Sequence, residues 1–258
     1  MSRLDFAPSW GTRPLSGLVM SHAAMETRLL LRNGEQLLLA IVIPLLLLVG
    51  GAEAGGVIDL GSGRRIDVLT PGVLALAVMS TSFTSLAIAT GFERRYGVLK
   101  WLGSTPLPRR ALLLGKVVSL LCVEAVQLTL ICLAALALGW HPSGGLVAVL
   151  SAALLVVLGT SAFASLALLM AGSLRAEATL AAANLVYVVL LMAGAVVVPL
   201  SSYPEGVQPL VAALPSGALA EGMREVLSGT GLELVRVAVL AGWALAAAGL
   251  TVRTFSWE

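Results

Sequence analysis

The chain has 258 residues, of which 58% are hydrophobic and only 12% charged, and its mean hydropathy is +0.97. A soluble domain has no use for so little polar surface, so the solvent must be lipid. A net charge of +2, from 16 basic and 14 acidic residues, is no nucleic-acid signature, and no nucleic-acid partner is expected.

In chain order, residues 16–35 come first, with Arg28, Arg32 and Glu35 at helical spacing on one side and Leu18, Met25 and Leu29 on another. That pattern suits an amphipathic helix in the membrane interface or a simple extension of the span that follows. Residues 36–58 form the first span. The polar leader before it, together with Pro44, fits a retained helix better than a cleaved signal peptide, although Ala52-Glu53-Ala54 imitates a cleavage site. Span two covers 68–92.

The most polar stretch follows, at 93–110. Val98, Leu99, Trp101 and Leu102 give a short helix an apolar face, and Ser104-Thr105-Pro106 stops it. Such a helix suits a docking contact for another protein, and equally a positively charged membrane anchor.

Spans three and four, at 112–139 and 145–172, are separated by Gly139-Trp140-His141-Pro142-Ser143-Gly144-Gly145, where Pro and Gly punctuate a turn. Cys122 and Cys132 lie about 15 Å apart along one helix, too far to bridge, and read as packing residues. Glu124 is the one ionisable side chain deep in an apolar segment, with Gln127 one turn on. It reads either as polar lining of a substrate path or as a structural hydrogen-bonding group. Span five, at 177–199, carries Asn184 and Tyr187; with Thr81, Ser82, Thr84 and Ser85 of span two these are further polar candidates, more suited to helix packing.

Residues 200–230 are neither loop nor span. Pro199, Pro204, Pro209 and Pro215 cut the segment into pieces too short to cross a bilayer, which predicts re-entrant or interfacial half-helices on the outer side, the last capped by Ser216 and carrying Glu221 and Glu225 in its first turns. Span six runs over 232–254. The expected fold is therefore an all-α integral membrane protein, a single transmembrane domain over 1–258 with six spans. Arg3, Arg13, Arg28, Arg32, Arg94, Arg95, Lys100, Arg109, Arg110, Lys116, Arg175 and Arg253, twelve of the sixteen basic residues, fall on the side of the N-terminus; Arg64, Arg65, Arg224 and Arg236 fall on the other. The inside-positive asymmetry predicts that both termini are cytoplasmic.

Three features carry a resemblance. The first is the loop Glu93-Arg94-Arg95, Gly97-Val98-Leu99-Lys100-Trp101-Leu102, Thr105-Pro106-Leu107 and Gly115-Lys116. The second is the amphipathic helix before span one, and the third is Leu214-Pro215 followed by Glu221-Gly222-Met223-Arg224 ahead of span six. Together they resemble the permease subunits of type-2 ABC exporters, of the drug- or lipid-exporter kind. The resemblance implies two such permeases, identical or homologous, paired around a pathway in the plasma membrane, with two ABC ATPase subunits below. Gly97, Val98, Leu99, Trp101, Leu102, Thr105 and Pro106 would then form the coupling helix seated in the ATPase, with 172–177 a smaller contact. Glu124, Gln127 and Asn184 would be pathway candidates, and Pro199, Pro204, Pro215, Glu221 and Arg224 outer-gate candidates. No G-x-x-x-x-G-K-[ST] occurs, since Arg110 precedes Gly115 by five and Val117 follows Lys116. ATP and Mg would therefore sit on the partner, with no cofactor or metal on this chain, which is expected to be a transport subunit and not an enzyme.

The rival readings are a secondary transporter and an intramembrane serine hydrolase. Proton-coupled carriers usually need several intramembrane ionisable groups. A serine nucleophile near Gly159-Thr160-Ser161 needs a base within reach, yet the two histidines, His22 and His141, lie outside the spans.

Overall fold

The computed structural model describes residues 14–53, 64–104 and 108–254. Thr105 and Pro106 of the coupling segment, residues 54–58 of the first span, and Arg3 and Arg13 lie outside the described residues. All regular structure among those described is helical. The elements are α1 (Leu15–Arg32), α2 (Gly34–Glu53), α3 (Arg65–Met79), a π-helical turn (Ser80–Ser85), α4 (Leu86–Arg95), α5 (Val98–Gly103), α6 (Arg109–Ala137), α7 (Gly145–Ser173), α8 (Ala176–Ala193), a 3₁₀ turn (Leu200–Ser202), α9 (Gln208–Ala213), α10 (Pro215–Leu227) and α11 (Leu234–Thr254).

Five helices among the described residues are long and apolar enough to cross a membrane: Arg65–Arg95, which joins α3, the π turn and α4, then Arg110–Ala137, Gly145–Ser173, Ala176–Ala193 and Leu234–Arg253. In α2 the apolar stretch Ala40–Glu53 is shorter. Because lipid offers the backbone no partners, helices that satisfy their own N–H and C=O groups are the available solution.

The α3 span is the centre of the bundle. Its residues Val73 to Met79 are all buried, and it packs against α2, α6, α7 and α10. Phe83 meets Phe163 of α7 edge to face, with ring centroids 6.5 Å apart. The outer helices instead present leucines and valines outward, among them Leu185 of α8 and Leu245 of α11, as a lipid-facing surface requires.

The breaks follow local chemistry. Gly97 sits at φ +74°, in the left-handed region that Gly adopts without strain, and turns the chain from α4 into α5. Gly144, at φ +92°, does the same ahead of α7. Pro215 opens α10 at a position where its missing N–H costs nothing. The turn between α6 and α7 is pinned to α10 by Ser143 N donating to the Leu227 carbonyl at 2.9 Å.

Candidate functional site

At one end of the bundle the six-residue α5 divides its apolar side chains. Leu99 is fully buried against Leu112 of α6, with Leu102 and Leu113 packed beside them. Trp101 is 81% exposed, and Val98 and Tyr96 are exposed with it. Ser104 closes the helix, its Oγ donating to the Trp101 carbonyl at 2.7 Å. The inward pair fixes α5 to α6, and the outward residues form an apolar and aromatic surface at the end of a span. The same end is tied across the bundle: Arg94 Nη1 donates to the Gly172 carbonyl at 3.0 Å, and Arg95 pairs with Glu177.

Beside α5 lies an ion cluster that spacing along the sequence does not announce. Lys116 of α6, 1% exposed, places Nζ 2.9 Å from Glu26 Oε1 of α1 and 2.9 Å from Glu93 of α4. His22, one turn before Glu26, is buried with Nε2 3.5 Å from the same Glu26 oxygen. Burial holds the His22 pKa below 6.5; the nearby Glu26 charge opposes that shift and Lys116 adds to it. Gly115 permits this approach, because a Cβ there would overlap the imidazole ring. In consequence α1 packs along α6 through His22 and Ala23, while Met25 and Leu29 stay exposed. In the sequence Lys116 stands out only beside Gly115 in the loop motif and as one more basic residue, with no partner indicated. The available signal was a Lys inside an apolar helix, with one acid, Glu93, at the end of the preceding span and another, Glu26, in the interface helix.

Midway along the spans the polar residues meet each other. Glu124 is fully buried, and one of its oxygens accepts from Thr160 Oγ1 of α7. Gln127 is buried too; its Oε1 accepts from Thr81 Oγ1 at 2.9 Å, and its Nε2 donates to the Ala40 carbonyl at 2.6 Å. Pro44, four residues after Ala40, lacks the N–H that would have taken that carbonyl, so Gln127 stands in for a missing helix bond. Thr81 lies in the π turn, the segment where span two departs from α-helical bonding. A cavity of about 180 Å³ separates this level from the ion cluster, lined by Glu26, Glu93 and Lys116 at one end and Ala40 and Thr81 at the other. Asn184 is not brought into the group. It is exposed on α8, and its Nδ2 donates to the Leu180 carbonyl of its own helix.

At the far end Arg224 of α10 gathers the chain break after α8. Its Nη1 donates to the Ala195 carbonyl and to Glu221 Oε1, both at 2.6 Å, and Nη2 donates to the Val196 carbonyl at 2.8 Å. Glu221 Oε1 also accepts from Leu200 N at 2.9 Å. Ala195, at φ +52°, sits in the left-handed region unusual for a residue with a Cβ, and its carbonyl is among those the guanidinium holds. Gly72 of α3 passes directly beneath, where a Cβ would overlap the Val196 carbonyl and Arg224. Pro199 precedes the 3₁₀ turn, Pro204 lies ahead of α9, and Pro215 is buried at the start of α10. Glu225 continues the network to α11 through Arg236 Nη2 at 2.8 Å.

None of the curated proteins compared with the chain matches it. The family model of the ABC-2 type transporter does match, over residues 21–228, a stretch that begins in α1 and ends just beyond α10. The chain therefore belongs to the ABC-2 type transporter family, as a multi-pass, membrane-spanning permease subunit that works with an ABC ATPase.

Proposed function

We propose that this permease exports an amphipathic or lipophilic compound from the cytoplasm or inner leaflet, driven by ATP that is hydrolysed with Mg on a separate ATPase. Two permease chains, identical or homologous, pair around the path and two ATPase subunits dock beneath them. Six spans cross the plasma membrane, α2 being the first, and both termini are cytoplasmic, in keeping with the distribution of basic residues. Residues 97–106 make the main ATPase contact.

The observation that carries this reading is the division of α5. Leu99 and Leu102 face α6, while Trp101 is left outward with Val98, so the element is held from within and free to meet a partner on its other side. A rigid element fixed to a long span and presenting an aromatic surface has the form that transmits a partner's motion. The far-end cluster of Glu221 and Arg224, with the breaks at Pro199, Pro204 and Pro215, supports an outer gate. Asn184, exposed on α8, suits a face turned toward the path or a second permease, whereas buried Glu124 and Gln127 suit a path that opens only when the helices move. The serine-hydrolase reading gains nothing, because Ser161 Oγ donates to the Val157 carbonyl in its own helix.

The test is gentle detergent extraction of the tagged chain. An ATPase subunit should co-purify, and its hydrolysis should respond to the transported compound. Recovery of the permease alone, with export unaffected by changes in 97–104, overturns the proposal.

A further inference from the structure

The helices α6 and α11 flank α7 without closing on one another. Between them runs a groove of about 420 Å³, lined by Arg110, Leu114 and Val117 of α6 and by Leu245, Ala248 and Val252 of α11. Its floor is low because α7 contributes Ser161 and Ser165 there. Thr251 Oγ1 holds α11 to that floor, donating to the Ser165 carbonyl at 3.0 Å.

Charge and depth identify the occupant. Among the described residues Arg110 is the one charged residue of the lining, exposed at the α5 end of the spans, and no acidic side chain lines the groove. Arg253, also exposed, directly follows the lining residue Val252. The apolar wall from Ala244 to Val252 is about 12 Å long at the helical rise, close to the ~15 Å of one leaflet's hydrocarbon. An apolar slot about one leaflet deep, with Arg110 at its mouth and Arg253 one residue beyond its wall, matches a phospholipid whose phosphate is anionic and whose acyl chain lies along the helices. We infer that this groove is a binding site for one anionic phospholipid of the leaflet at the α5 end, with its headgroup on Arg110 and Arg253 and an acyl chain between α6 and α11. The site does not depend on the export reading.

The experiment is native mass spectrometry of the full-length permease, with its co-purifying subunits, in detergent with equal amounts of dioleoyl phosphatidylglycerol and dioleoyl phosphatidylcholine. One phosphatidylglycerol per permease should be retained in preference to phosphatidylcholine. The double substitution Arg110→Gln with Arg253→Gln should lower that preference on the order of tenfold, and the double Lys replacement should keep most of it. Ala248→Trp, which fills the slot, should remove the bound lipid altogether, with thermal melting confirming that each variant is folded. A preference unchanged in the Gln pair, or full lipid retention by folded Ala248→Trp, overturns the site. So does loss of a second permease copy, and not of lipid, from the Ala248→Trp protein, since the groove would then hold protein.

Discussion

Gln127 Nε2 lies 2.6 Å from the carbonyl of Ala40, the backbone acceptor that Pro44 leaves without an intrahelical donor. The amide thus completes the hydrogen bonding of one helix from another, and its Oε1 takes the Thr81 hydroxyl of a third. Replacing Gln127 by Leu strands both groups. In membrane proteins such interhelical bonds contribute about 1 kcal/mol, so Gln127→Leu should lower the melting temperature in detergent by a few degrees. Pro44→Ala restores an N–H for Ala40 and should recover part of the loss in the double variant. If Pro44→Ala adds nothing to Gln127→Leu, the stand-in role of the amide is wrong.

The buried lysine makes a stronger claim. Lys116→Met would leave Glu26 and Glu93 facing each other at the end of the cavity they line. Removing one partner from a buried ionic group costs about 3–5 kcal/mol, and the variant should be poorly folded. Lys116→Met combined with Glu26→Gln and Glu93→Gln removes the stranded charge and should return most of the stability. A Lys116→Met protein that melts like the parent would show that these contacts contribute little.

His22 sets a pH dependence whose sign follows from burial. Its pKa is lowered from 6.5 in the folded chain, so at acidic pH the unfolded state binds a proton that the folded state refuses. Stability from this group is present above the unfolded value and declines as pH falls below it. Melting curves from pH 7.5 down to 5 should therefore fall more steeply for the parent than for His22→Gln. Parallel curves for the two proteins would remove His22 from the account.

The two sides of α5 separate folding from docking. Leu99→Ala empties a fully buried position and should cost about 2–5 kcal/mol. Trp101→Asp changes an exposed one and should leave the melting temperature within a degree or two, while export and ATPase stimulation are lost. Full export by the Trp101→Asp permease would dissociate this face from the ATPase.

Much of this architecture is written in punctuation. Gly144, Pro108 and Pro215 each stand where a helix begins, because their backbone preferences are local and need no knowledge of neighbours. The alternation of apolar runs and turn residues therefore shows where helices lie. It does not show which faces meet. Glu26, Glu93 and Lys116 come from three helices, and nothing in their spacing distinguishes an ion cluster from three separate surface charges. Gln127 and Ala40 are likewise joined only by the packing of α2 on α6. The Ser/Thr-rich run at 80–85 is visible as composition, but neither its π-helical bonding nor the bond from Thr81 to Gln127 is. Glu221 and Arg224 stand out in the sequence as gate candidates, and three residues apart on a helix they share a face, but that they bond to one another and to the Ala195 and Val196 carbonyls shows only in the fold.

The long α6 has a mechanical consequence. Near one end, Leu112 grips α5; just past the other, the turn at Ser143 is bonded to α10. Its 29 residues span about 43 Å at the helical rise, so a tilt of about 5° pivoting at α5 moves the opposite tip by roughly 4 Å. That stroke exceeds the reach of a hydrogen bond. A modest rotation of the one helix is enough to part Ser143 from Leu227 or to drag α10 along with it, so a push on α5 has a rigid lever that reaches the opposite end of the bundle.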